Sequence, residues 1–187
     1  FVLPSLLDTS GAPGIERPYY LLVASLDPRK GIDRALNWYS GLRAPEFDLV
    51  IVGRPHRAFA AVPIAEGNGV HVLNDVDDAR LGALYRNAIA LIQPSYYEGF
   101  GLPVLEAITL GCPAITGYLN VFTEQFGDAV IVADIGYTRN MMRAMVTMND
   151  AKERTGWVEK GRARSLVFDE HRTTAALHEA LDPVLGA

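Results

Sequence analysis

A single cysteine, Cys112, among 187 residues leaves the chain without an internal disulfide, so its fold must rest on packing, and a reducing compartment is the default. Long apolar runs are missing too. No stretch of roughly 18 apolar residues could span a bilayer, and the first residues do not read as a signal peptide. Positive charge is sparse: the net charge is −5, and no basic or basic-aromatic run offers a nucleic acid the positive stripe it needs. Gly-x-Gly-x-x-Gly does not follow the first strand candidate, which disfavours a dinucleotide-dependent oxidoreductase. Internal repeats and low-complexity segments are absent. What remains is a chain with 49% hydrophobic residues, enough for one well-filled globular core. It begins at Phe1 without a methionine, which suggests a piece of a longer protein.

Short apolar runs alternate with helical periodicity along most of the length. Residues 1–18 carry Pro4, Gly11, Pro13, Gly14 and Pro18 and read as a linker, leaving 19–187 as the folded domain. Strands are predicted over 19–24, 48–52, 70–73, 88–93, 114–116 and 130–132. Helices are predicted over 31–41, 77–87, 102–110, 121–126, 137–148, 151–167 and 170–184, while 59–69 is ambiguous. This alternation predicts an α/β fold, a Rossmann-like doubly wound parallel sheet flanked by helices. In such sheets ligands bind beyond the carboxyl ends of the strands. Helix 152–164 has interspersed charges and reads as a solvated face, one that could also touch anionic lipid.

The chemistry concentrates between residues 94 and 113, where Glu98 and Glu106 stand eight apart with Gly99, Gly101 and Pro103 between them. The preceding run is strand-like and the following one helical, so the glycines fall on a strand-to-helix turn. Without a Cβ, Gly99 and Gly101 permit strained backbone angles and close approach of a ligand. Pro103 suits a first helical turn. The amides of Phe100, Gly101 and Leu102 then face outward at the positive end of a helix dipole, where phosphate or sugar oxygens are favoured. Two carboxylates flanking a row of donors suit a hydroxyl-rich phosphate ester. A purely structural reading stays open, because an acidic residue in a first turn also stabilises the helix.

Pro-Ser-x-x-Glu-Gly-Phe-Gly-Leu-Pro-x-x-Glu-Ala, residues 94–107, resembles the Glu-x7-Glu signature of the glycosyltransferases group 1 family (family 4), which are retaining, nucleotide-sugar-dependent enzymes of GT-B architecture. The resemblance extends over about 19–185. Tyr20 to Gly31 is similar to the family's first strand and basic turn, Leu49 to Gly53 to its second strand, Leu84-Tyr85-Arg86-Asn87-Ala88 to the segment before the signature, and Phe168-Asp169 to the start of its closing helix. Glu170 stands where tryptophan is usual. Relatives carry Gly-Arg where this chain has Ala24-Ser25, so Arg29 or Ser25 would have to replace that arginine.

The resemblance implies the C-terminal, donor-binding half of a GT-B enzyme. It implies Glu98 at the hydroxyls of the transferred sugar, Glu106 at the ribose, and Lys30, with Arg29 beside it, at the diphosphate. It also implies sugar and phosphate contacts from Gly99, Phe100, Gly101 and Leu102, nucleotide packing on Gly53, and main-chain reading of the base around Asn74 and Val76. Read without it, Arg29-Lys30 is an exposed basic turn, Gly53 ends a strand, and Asn74 and Asp75 cap the next helix. His56, His71, His171 and His178 have no partner identifiable in the sequence. No cofactor or metal is expected: the nucleotide-diphosphate sugar is itself the substrate, and cations with a helix N-terminus can offset charge on the departing diphosphate. The partners implied are that donor and an N-terminal acceptor-binding domain, with no nucleic acid. A cytoplasmic location follows, with peripheral association of the full-length enzyme at the inner face of the membrane. Two rivals remain open: a non-catalytic nucleotide-binding module, and a nucleotide-sugar epimerase or phosphorylase-like relative.

Overall fold

The computed structural model of the chain describes residues 14–54, 63–65 and 67–168. Twelve elements follow one another there: β1 Tyr19–Val23, α1 Ile32–Ser40, β2 Asp48–Val52, β3 Val70–Leu73, α2 Asp78–Asn87, β4 Leu91–Gln93, α3 Leu102–Thr109, β5 Ala114–Thr116, α4 Asn120–Phe126, β6 Ile131–Val132, α5 Thr138–Asn149 and α6 Ala151–Ser165. The six strands are all parallel and lie in the order β3-β2-β1-β4-β5-β6. This is the α/β, Rossmann-like arrangement expected.

The central strands are apolar without interruption because both of their faces are covered. Alternate side chains of β1 go to opposite faces, as a period of two requires. Tyr20 and Leu22 join one cluster with Ile32 and Trp38 of α1 and Met141 of α5. Tyr19 and Leu21 join the other with Leu84 of α2, Val104 of α3 and Phe122 of α4. Asp48, buried at the head of β2, would be costly there alone. It is met by Arg17 at 3.0 Å and His71 at 2.8 Å, so His71 does have a partner.

Several expectations shift. The strand expected from Ala88 starts at Leu91, with Ala88 to Ala90 as its lead-in. The helix expected from Asp77 starts at Asp78, and the cap is Asp77 itself, accepting the Arg80 amide at 2.7 Å, rather than Asn74 or Asp75. Ile15, read as linker, is buried in the second cluster. Helix α6 is not simply a solvated face: Gly161 is buried against Ile108 of α3, and Arg154 turns inward to the carbonyls of Ala88 and Ile89. The readings over 1–13, 55–62, Glu66 and 169–187, which include His56, His171, His178, Asp169, Glu170 and the helix 170–184, lie outside the described residues. Among the described residues no helix is long and apolar enough to cross a membrane.

Candidate functional site

Strand order reverses between β1 and β4, and the segments leaving these two strands meet there. Asp27 caps the short turn Pro28–Lys30 by accepting the Arg29 amide at 3.0 Å. The carbonyl of Arg29 then accepts the Tyr96 amide at 2.8 Å, which fastens the loop carrying Glu98 to the turn carrying Lys30.

Glu98 is tightly directed. Its Oε1 accepts from Lys30 Nζ, Gln93 Nε2 and Ser95 Oγ, each at 2.9 Å. Among the described residues no donor reaches Oε2, so one oxygen carries all three hydrogen bonds and the other carries none. Gln93 and Ser95 are fully buried, and an uncompensated carboxylate beside them would be unfavourable. Lys30 supplies the compensation and still has two N–H donors to spare.

Glu106 sits on the exposed side of α3, one turn in, with its Oε2 held by the hydroxyl of buried Tyr85 at 2.8 Å. Burial, followed by the charge and hydrogen bond of Glu106, pushes the Tyr85 phenol far above its ordinary value, so it remains a donor. Helix α3 begins at Leu102 with Pro103 in its first turn. Gly101 caps it at φ 94°, and a Cβ there would come within 2.9 Å of Phe122. That glycine is therefore required by the fold itself. Gly99 is different: a Cβ at this position would meet nothing within 4 Å. Among the described residues the amides of Phe100, Gly101 and Leu102 make no backbone hydrogen bond. Phe100 is anchored edge-on against Phe126 and Phe168, with ring centroids at 6.1 and 5.4 Å.

A cavity of about 580 Å³ opens at the carboxyl ends of β1, β2 and β3 and is closed on its other side by the start of α3. Of the residues predicted for the site, Lys30, Gly53, Val76, Leu102 and Glu106 line it, and Glu98 adjoins it through Lys30. A side chain at Gly53 would overlap the carbonyl oxygen of Ala24, at 1.8 Å, so the glycine is demanded by the neighbouring strand exit as well as being open to the cavity. Asn74 does not line the cavity, whereas Asp75 does.

Arg29 is placed otherwise than expected. Its guanidinium folds back onto Asp27, with contacts of 3.1 and 3.3 Å, and it is not part of the cavity wall. The hydroxyl of Ser25 also goes to Asp27, at 2.7 Å. Burial alone would raise the Asp27 carboxyl, but these hydrogen bonds and the Arg29 amide outweigh it and hold the carboxyl down at about 2. Neither residue thus stands in simply for the missing arginine. Arg54, the neighbour of Gly53, is the second cation on the wall, paired at 2.7 Å with Asp75. Gln93 and Arg54 could have been suspected from one signal, polar residues at or just beyond the ends of otherwise apolar strands. The spacing Asp75-x-Asp77 has the form of a metal motif, yet Asp75 faces Arg54 and Asp77 caps α2. Among the described residues no three His, Cys, Asp or Glu side chains gather within metal-binding reach.

Comparison with known proteins places the chain. The chain is 35% identical to the O-antigen chain mannosyltransferase B of Escherichia coli over 133 residues, 62% of this chain and 32% of that protein. To the O-antigen chain mannosyltransferase RfbU of Salmonella typhimurium it is 32% identical over 111 residues, covering 57% of this chain and 31% of that one. The chain thus spans about a third of the length of these curated relatives. The sucrose-phosphate synthase of Thermosynechococcus elongatus superposes with a TM-score of 0.73 at 20% identity, covering 91% of this chain and 46% of that one, a likeness of fold. The family model described as "Glycosyl transferases group 1" matches residues 10–164, and the chain belongs to that family.

Proposed function

We propose that the chain is the donor-binding domain of a retaining glycosyltransferase, which transfers a sugar from a nucleotide-diphosphate sugar to a glycan or lipid-linked acceptor held by the rest of the enzyme. The observation that carries this reading is the division of labour between two carboxylates at one cavity. Glu106, fixed by Tyr85 on the cavity wall, is set to accept hydroxyls of a ribose. Glu98, saturated on one oxygen and open on the other, is set to accept hydroxyls of the transferred sugar. The nucleoside lies over Gly53 and beside Val76. The diphosphate lies between Lys30, Arg54 and the free amides at the start of α3.

Breaking the anomeric C–O bond places negative charge on the departing diphosphate and positive charge on the ring. Fixed cations and amides at the first, and the Glu98 carboxylate near the second, favour that separation. Arg29 serves in this scheme as the brace of the Lys30 turn rather than as a phosphate ligand. Glycosyl transfer in polysaccharide assembly agrees with the printed names of the mannosyltransferase relatives, and a mannose donor is the first sugar to try. The full-length enzyme would act in the cytoplasm, at the inner face of the membrane.

Calorimetric titration with UDP, GDP and ADP tests the reading. One nucleotide should bind, and Glu106→Ala should weaken it about tenfold, the order expected on losing hydrogen bonds to a charged group. Binding unchanged by Glu106→Ala would overturn the assignment of that carboxylate.

A further inference from the structure

Strand β4 ends on a residue that its place in the core does not call for. Gln93 is fully buried, as are Ser95 and Thr116, the latter its register neighbour on β5. A buried amide is costly unless its polar atoms are met, and only half of this one is. Both hydrogens of Nε2 are used, one on Ser95 Oγ and one on Glu98 Oε1, each at 2.9 Å. Its Oε1 is buried with no hydrogen-bond partner among the described residues, and the hydroxyl of Thr116 is unmet as well.

We propose that Gln93, directly and through the hydroxyl of Ser95, is a positioning residue for the transferred sugar, holding the Glu98 carboxylate in one orientation. The inference rests on the donor reading above. Three atoms close a triangle: Gln93 Nε2 donates to Ser95 Oγ, Ser95 Oγ donates to Glu98 Oε1 at 2.9 Å, and Gln93 Nε2 donates to that same oxygen. A carboxylate only accepts, so the Ser95 hydrogen must point to Glu98 and a lone pair of its oxygen to Gln93. Turning the Gln93 amide over would set its Oε1 against the Glu98 oxygen and undo both bonds. The amide thus keeps the orientation that serves Glu98 and leaves its own carbonyl unmet, at a cost to stability.

Lys30 does not suffice for this. Its ammonium is the third donor to Oε1, at 2.9 Å, but Lys30 also lines the nucleotide cavity, so a diphosphate arriving there competes for its protons. Gln93 and Ser95 are fully buried, and neither lines the cavity. They hold the same oxygen from inside the protein, and Oε2 stays presented whichever way the lysine leans. A constellation that must be held to a fraction of an ångström needs supporting side chains locked by packing on a rigid element. The buried end of β4, paired on both sides by β1 and β5, is such an element.

The test is calorimetry of the chain with GDP-mannose, UDP-glucose and ADP-glucose, each set against its bare nucleotide diphosphate. Methionine fills the volume of glutamine without its donors. Gln93→Met should cut the extra affinity for the sugar-bearing ligand about fivefold, the order of one hydrogen bond, while affinity for the bare nucleotide stays. Ser95→Ala should give the same split, and it carries the test if Gln93→Met fails to fold. Thr116→Val, as deeply buried beside Gln93 but not bonded to Glu98, should leave the increment as it is. In a Glu98→Gln background Gln93→Met should cause no further loss, because its effect passes through that carboxylate. An increment that survives both Gln93→Met and Ser95→Ala overturns the proposal. So does a loss of both ligands together, an equal loss in Thr116→Val or an additive loss in the double variant, the results expected of packing alone. The wild type separately decides the donor reading: no nucleotide binding, or binding without a sugar increment, would sink that reading and this proposal with it.

Discussion

Asp27 shows how a residue away from the ligand can govern the site. It is fully buried, yet it stays charged because Arg29 and Ser25 converge on it, and through the turn it caps it sets the position of Lys30. Its carboxyl, held at about 2 against an ordinary 3.8, titrates lower in the folded state than in the unfolded one. The stabilisation it brings is therefore complete above about pH 4 and lost as pH falls toward 2. Thermal melts of the wild type and Asp27→Asn across pH should differ by a constant amount above pH 4 and converge between pH 4 and 2. A difference independent of pH down to 2 would contradict the account. Nothing in the sequence around Asp27 distinguishes it from a turn residue beside two cations.

At the scale of elements, α6 is held by an inward arginine. Arg154 donates to the carbonyls of Ala88 and Ile89 at 3.2 Å each, bridging the lead-in of β4 to the last helix of the described chain. Burial lowers its pKa, but its hydrogen bonds satisfy two carbonyls that would otherwise face apolar surroundings. Arg154→Ala should cost about 2 kcal/mol or more in chemical denaturation, since it empties buried volume and strands those acceptors. A loss under about 0.5 kcal/mol, typical of a surface substitution, would show that the residue is solvated after all. The mixed charges of 152–164 concealed this, because charge patterning alone does not say which member of a helix faces inward. The elements themselves were legible: continuous apolar runs such as Leu49-Val50-Ile51-Val52 and the apolar spacing of Ile32, Ala35, Leu36 and Tyr39 mark strand and helix directly, although the structure buries Trp38 rather than Leu36 on that face. The placement of Glu98 and Glu106 on either side of a strand-to-helix turn, with Gly101 at the helix start, was legible because it is local. The fold-back of Arg29 onto Asp27, two residues away, leaves no mark in the sequence, and the seat of Arg54 on the cavity wall was hidden because it requires segments remote in sequence to meet.

Taken as a whole, the molecule is a sheet with a packed cluster on each face, and the edge that carries the candidate site is divided at the point where strand order reverses. A cavity lies on one side of Glu98, with Lys30 reaching from its wall to the Glu98 carboxylate. On the proposed reading the two carboxylates serve different parts of one ligand. Titrating the wild type and Glu98→Gln with a nucleotide-diphosphate sugar and with the bare nucleotide diphosphate tests this division most directly. The account predicts that the wild type binds the sugar-bearing ligand more tightly, by about tenfold for hydrogen bonds to a charged carboxylate. Glu98→Gln should abolish that increment and leave affinity for the bare nucleotide unchanged. If both ligands weaken together, or if neither does, Glu98 does not read the transferred sugar and the central claim fails.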